Sequence, residues 1–236
     1  MSGAPRDVPA PSPGAGVVLV LGPRVVATPA RLRRTCARVA ADVAGGTRVV
    51  AVVGAMGDAS GRLLGLVPAL TPRPSARELD VLVANGGRVS AALLTMGLRA
   101  LGVPAVSLTG EQAGLVTDAQ HRVARVREVR PARAAEALER GMVAVVAGGQ
   151  GATEAGDVTT LGRGGGGVTA VWLAAALGIG ACHVLDDAEA AEAVWFDPVL
   201  VDLARRHRID VRVHSGPARG RERARPAPPA TTRRAS

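Results

Sequence analysis

A chain of 236 residues, 47% of them hydrophobic, is long enough to bury the core of one α/β domain. Aromatics are 1%, Tyr is absent and Phe196 is the only Phe, so that core must be packed from small aliphatic side chains. The formal charge is +9 and the chain has no Lys, which excludes a mechanism built on an ammonium side chain, because Arg offers a planar fork instead of a compact point charge.

Residues 1–16 are rich in Pro, Ala and Gly, lack the apolar stretch of a signal sequence, and are expected to be a disordered N-terminal segment. Val17 to Leu21 is an apolar run closed by Gly22-Pro23 and reads as a buried strand. Pro29 to Val43 has helical spacing, with Thr28 placed to cap it and Pro29 in its first turn. Arg48 to Val53 is a second strand ending at Gly54. Ser75 to Leu101 reads as two helical stretches broken near Asn85-Gly86-Gly87. Pro104 to Leu108 is a third strand, and Arg122 to Val129 alternates like an exposed one.

Ala132 to Arg140 is helical and stops at Gly141, and Met142 to Ala147 is a strand running into Gly148-Gly149-Gln150-Gly151. Val168 to Leu177 is a helix, Ala181 to Leu185 a strand, Pro198 to Arg206 a helix and Asp210 to Val213 a strand. Aliphatic strands separated by helices predict an α/β three-layer sandwich with a mainly parallel central sheet over 17–215. Ligands on such sheets bind in loops beyond the strand C-termini, which is where the Gly-rich turns fall.

Residues 216–236 form a basic tail expected to be disordered; six arginines against Glu222 give residues 219–236 a charge of +5. No aromatic residue interleaves it, so stacking on bases is not indicated and nucleic acid is not the expected partner. Cys36 and Cys182 stand outside any CxxC pair and fit a reduced, cytoplasmic protein. The longest apolar run, Val168 to Gly180, is too short and too Gly-interrupted to span a bilayer. His121, His183, His207 and His214 show no ligand spacing and read as solvated or capping side chains rather than metal ligands.

The stretch with the most chemistry is Asp157-Val158-Thr159-Thr160-Leu161-Gly162-Arg163-Gly164-Gly165, just before a predicted helix. Glycines at a helix N-terminus let an anion reach backbone N–H groups, and Arg163 supplies a bidentate clamp for a carboxylate or phosphate. The wording resembles the aspartokinase signature of the amino-acid kinase family. Four other stretches agree in the same order: Ala55-Met56-Gly57-Asp58, Ser75 to Asp80, Ser107 to Gly114, and Val146 to Gly151. The resemblance covers roughly Val17 to Ser215. It implies ATP-dependent phosphorylation of the side-chain carboxylate of L-aspartate, with ATP and Mg as cofactors. It also implies a small acidic molecule as ligand, and a homo-oligomer or a complete aspartokinase as protein partner.

The same resemblance marks departures. The family's first strand carries a Lys that reaches the transferring phosphate, and Val20 stands there; Pro23 removes a backbone donor, and Arg24 is displaced by four positions. Gly87 stands where the family has a substrate-binding Glu, Gly167 where it has an Asp, and Val194 where it has a second Lys. Gly54 stands for a serine, whereas Ser60 keeps a hydroxyl where a substrate-contacting threonine is expected. The nucleotide segment runs from Asp186-Asp187-Ala188-Glu189 to Val194 with a few tens of the family's residues missing, and the chain ends where family members usually continue into regulatory ACT domains. Ser60, Gly162, Arg163 and Gly164 are thus the expected substrate-binding residues, and Gly22, Asp186 and Asp187 the nucleotide-binding ones. If a small-molecule site persists, it is expected at a mouth formed by Gly57-Asp58, Ser60 and Gly162-Arg163-Gly164. Three readings follow: a catalytically impaired pseudokinase that keeps a small-acid site, an active aspartate kinase with rewired residues, and a non-catalytic partner of a complete aspartokinase.

Overall fold

The computed structural model describes residues 16–186 and 198–215. Six parallel strands make the central sheet: β1 (Gly16–Leu21), β2 (Arg48–Val53), β3 (Ala105–Leu108), β6 (Val143–Ala147), β9 (Ala181–Asp186) and β10 (Asp210–Ser215). Their order across the sheet is β10-β9-β1-β2-β6-β3. Side chains alternate between the faces of a strand, so each central strand feeds two cores. Val17, Leu19 and Leu21 face one side with Val49, Ala51 and Val53. Val18, Val20, Val50 and Val52 face the other. Both faces are buried, which is why these strands are unbroken aliphatic runs and do not alternate with polar residues.

Helix α1 (Pro29–Ala44) and helix α3 (Ala76–Ala100) cover the first face through Leu32, Cys36, Val39, Ala91, Leu94 and Leu98. Three helices cover the second: α4 (Ala132–Glu139), α5 (Gly165–Ala176) and α6 (Pro198–Arg206). The result is the expected three-layer α/β sandwich with a parallel central sheet. Thr28 caps α1 as its sequence predicts, its hydroxyl accepting from the Arg31 amide at 3.3 Å.

Three expectations are corrected. Between Ser75 and Leu101, its two caps, runs one 25-residue helix, Ala76–Ala100, unbroken at Asn85-Gly86-Gly87. Those glycines serve packing: a Cβ on Gly86 would stand 2.7 Å from Ser60 Oγ and 2.8 Å from Ala55 Cβ. Helix α5 begins at Gly165 and not near Val168, because the glycine run itself forms the first turn. Of Arg122 to Val129, only β5 (Val126–Val129) is a strand.

That strand belongs to a second sheet the sequence did not announce, ordered β5-β4-β7-β8, with β4 (Leu115–Thr117), β7 (Gln150–Ala152) and β8 (Val158–Thr160). A short helix, α2 (Ala59–Leu64), follows β2. Among the described residues, one helix, α3, is long and apolar enough to cross a bilayer. It is accounted for as a core helix, because it carries the buried Asp80 and packs Ala91, Leu94 and Leu98 against the sheet.

Candidate functional site

Beyond the C-terminal ends of β2 and β6 lies a cleft of about 290 Å³, the volume of a small metabolite site. Its walls come from α2, α3, the turn after β6 and the loop after β8. Glycine makes the walls meet. A Cβ on Gly165 would stand 2.9 Å from the Gly149 Cα, and one on Gly148 would stand 2.7 Å from a Val52 methyl. The turn after β6 therefore seats directly on the first turn of α5, whose N-terminal dipole favours an anion alongside it. The Gly149 amide donates to the Thr169 hydroxyl at 3.0 Å, locking that seat. Gly162 and Gly164 take positive φ, 75° and 76°, at the loop that presents Arg163.

One buried acid organises the opposite wall. Asp80, on α3, has no exposed surface. It accepts from the Arg122 amide at 2.9 and 3.1 Å and from the Thr160 hydroxyl, and lies 3.0 Å from His121 Nδ1. A carboxylate so surrounded keeps its desolvation cost offset, and it ties α3 to β8 and to the loop before β5. Arg122 is held with φ at 74°, where a side chain is strained. Arg122 lines the cleft, and its Nη1 is buried with no hydrogen-bond partner among the described residues.

Ser60, Gly87, Gly162 and Arg163 all line this cleft, so the structure brings together the substrate-site residues singled out in the sequence, with one exception. Gly164, the N-cap of α5, lies just behind the wall. Gly57 and Asp58, expected at the mouth, are also off it; the Asp58 carboxylate turns onto α2, 2.1 Å from where a Cβ on Gly61 would be. Arg163 is exposed and makes no ion pair among the described residues. Ser60 donates to the Val83 carbonyl at 3.4 Å. Gln150 is committed to α3, donating to the Ala84 carbonyl at 2.9 Å and accepting from Arg88 at 3.1 Å.

Of the remaining expected positions, Val20, Gly22, Gly54, Gly167 and Asp186 do not line this cleft. Val20 is buried in the core with Val52 and Ala170. Gly167 is buried inside the first turn of α5, its amide donating to the Gly164 carbonyl at 2.9 Å. Gly54 has open space where its Cβ would be. At the turn after β1, the Gly22 amide donates to the Leu185 carbonyl at 3.0 Å. A Cβ there would be 1.9 Å from an oxygen of the buried Asp186. The Gly22 amide is thus engaged within the sheet, and a carboxylate lies against its Cα. Asp187 and Val194, with both chain ends, lie outside the described residues. No cluster of three or more His, Cys, Asp or Glu fit for a metal occurs among the described residues. His183, expected to be solvated, is 8% exposed and stacks near His214, ring centroids 5.0 Å apart.

Sequence reasoning missed Asp80 and Arg122. Asp80 was legible: it heads the buried stripe 80, 84, 87, 91, 94, 98 of α3, and an acid at core spacing must have partners. Arg122 carried no such signal, being one arginine among many in a stretch that mimics a strand.

The amino-acid kinase family model matches residues 16–190, and the chain belongs to that family. Within it, the chain is 45% identical over 176 residues to an aspartokinase of Thermus thermophilus, covering 75% of this chain and 43% of that one. It is 40% identical over 228 residues to an aspartokinase of Mycobacterium tuberculosis, covering 84% of this chain and 54% of that one. Among solved structures, aspartate kinase from Synechocystis superposes with a TM-score of 0.73 at 34% identity, covering 84% of this chain and 38% of that one. The chain thus spans about half or less of the length of these relatives.

Proposed function

We propose that this protein is an aspartokinase-type domain whose cleft binds a small acid, and in which phosphoryl transfer to that acid is strongly impaired. The observation that carries the reading is a cleft lined by Arg122 and Arg163 in a chain that has no lysine. Guanidinium forks suit carboxylates. The family reaction also needs positive charge at the γ-phosphoryl group as it moves from ATP to the carboxylate, releasing ADP. Where the resemblance implies that charge, Val20 is a core side chain, and the carboxylates it implies at Gly87 and Gly167 are absent as well. Losing one preorganised charged donor typically costs about 10²–10³ in rate.

A second reading, an active aspartate kinase, is favoured by 45% identity to the Thermus aspartokinase over 176 residues. The two part in one assay. The full chain with Mg-ATP and L-aspartate is followed by hydroxamate trapping and ADP release. Turnover at least 100-fold below the roughly 1–100 s⁻¹ usual for kinases supports impairment. Turnover inside that range removes it in favour of the second reading. The cytoplasm is the compartment this reading takes, with both cysteines reduced and buried; burial pushes Cys182 up to about 12 and raises Cys36 as well. A homo-oligomer, or association with a complete aspartokinase, is the assembly that goes with it.

A further inference from the structure

We infer that Arg122 makes the cleft a receptor for a dicarboxylic acid that lacks an amino group, so that it takes succinate-type ligands at least as well as aspartate. The inference rests on the small-acid reading of the cleft and goes beyond it by naming the ligand class and the residue that selects it. Among the described residues, the charged side chains lining the cleft are Arg122 and Arg163, and no Asp or Glu lines it. A dicarboxylate presents two negative ends to two forks. An α-ammonium brought into the same space meets two like charges and no acid.

Three further observations bear on Arg122 in particular. A buried guanidinium nitrogen without a partner is costly, and Arg122 Nη1 is such a group among the described residues. The φ of 74° strains a residue with a side chain, and strain of this kind collects at functional sites. The strained backbone is held in place by Asp80, which takes the Arg122 amide on both oxygens and is itself fully spent on Thr160 and His121. Asp80 therefore fixes the backbone of Arg122 where this residue lines the cleft. Gly162 permits the approach: a Cβ there would stand 3.1 Å from the Arg122 carbonyl, so the two arginine-bearing loops are in contact.

Gly87 completes the argument. It lines the cleft, and a Cβ on it would stand 3.3 Å from Gln150 Nε2 and 3.6 Å from Ala147 Cβ, a tight but admissible fit. A carboxylate introduced there is a receptor for an ammonium group that the native cleft does not have.

The test is calorimetric titration of the full chain with succinate, L-aspartate and sulfate, without nucleotide. Succinate is expected to bind at least as tightly as aspartate and at least tenfold more tightly than sulfate. Arg122→Gly is expected to weaken succinate at least tenfold without lowering the melting temperature, because glycine adopts the strained φ freely. Should that variant fail to fold, the exposed Arg163→Gln carries the same tenfold expectation. Gly87→Glu is expected to reverse the order and favour aspartate. Preference for aspartate in the native chain overturns the inference and leaves the small-acid reading standing. Binding of neither acid overturns both. Sulfate equal to succinate, or unchanged succinate affinity in Arg122→Gly, overturns the inference as well.

Discussion

At Arg122 the backbone is held by a side chain of another element. The amide is fixed by Asp80 on α3, and Arg122 lines the cleft. Asp80 is the residue on which the arrangement depends, because it also receives the Thr160 hydroxyl and meets His121. Removing it strands several buried donors at once. Asp80→Ala is expected to lower stability by about 3 kcal/mol, since breaking one side of a buried charged network costs about that much. Urea denaturation of the variant checks this, and a loss under 1 kcal/mol would contradict the role given to Asp80. Arg163 was legible in the sequence because its glycine-rich setting is distinctive. Arg122 was not, because its placement comes from a positive φ and from a contact with a residue 42 positions away, neither of which leaves a local pattern.

At the scale of elements, legibility followed length. The strands β1, β2 and β6 were readable because five or six aliphatic residues in a row have few alternatives. The strands β4, β7 and β8 have three residues each and were invisible, since so short a run carries no periodicity. Helix α3 was misread at Gly86 because glycine weakens a helix locally, whereas here it admits the side chains of α2. The β9–β10 edge adds a feature that only pairing reveals. Burial, reinforced by His214, holds His183 down to about 4. The unfolded chain takes up this proton near the ordinary value of 6.5. Between these values the unfolded state binds more protons, so stability contributed by neutral His183 is complete above about 6.5 and is lost as pH falls toward 4. Thermal melting at pH 7 and pH 4.5 is expected to show a drop that is smaller in His183→Gln. Equal drops would show that His183 does not carry this dependence.

The whole molecule joins a large sheet that builds the core to a small one that holds much of the cleft wall. The small sheet has no core of its own. Ala113 and Leu115 are buried in the same cluster as Val146 and Leu173 of the main domain. Gly110 and Gly114 let its backbones close, since a Cβ on either would stand 1.9 Å from a carbonyl oxygen, that of Gln150 or Arg130. Gln150 and Asp80 bond it to α3, the helix that also covers the main sheet. Isolated short strands are marginal in water, so a sheet built this way is stable only while docked. The two sheets are therefore expected to open as one cooperative unit. Hydrogen exchange read by mass spectrometry in low denaturant tests it, comparing peptides over 115–129 and 150–160 with peptides over 48–53 and 143–147. Opening free energies for the slowest amides of the two sets are expected to agree within about 1 kcal/mol, and Asp80→Ala is expected to lower them together. A small sheet that exchanges more than about 2 kcal/mol below the main one would mean that the cleft wall opens by itself. The positions of Arg122 and Arg163 would then be properties of a mobile flap and not of the folded domain.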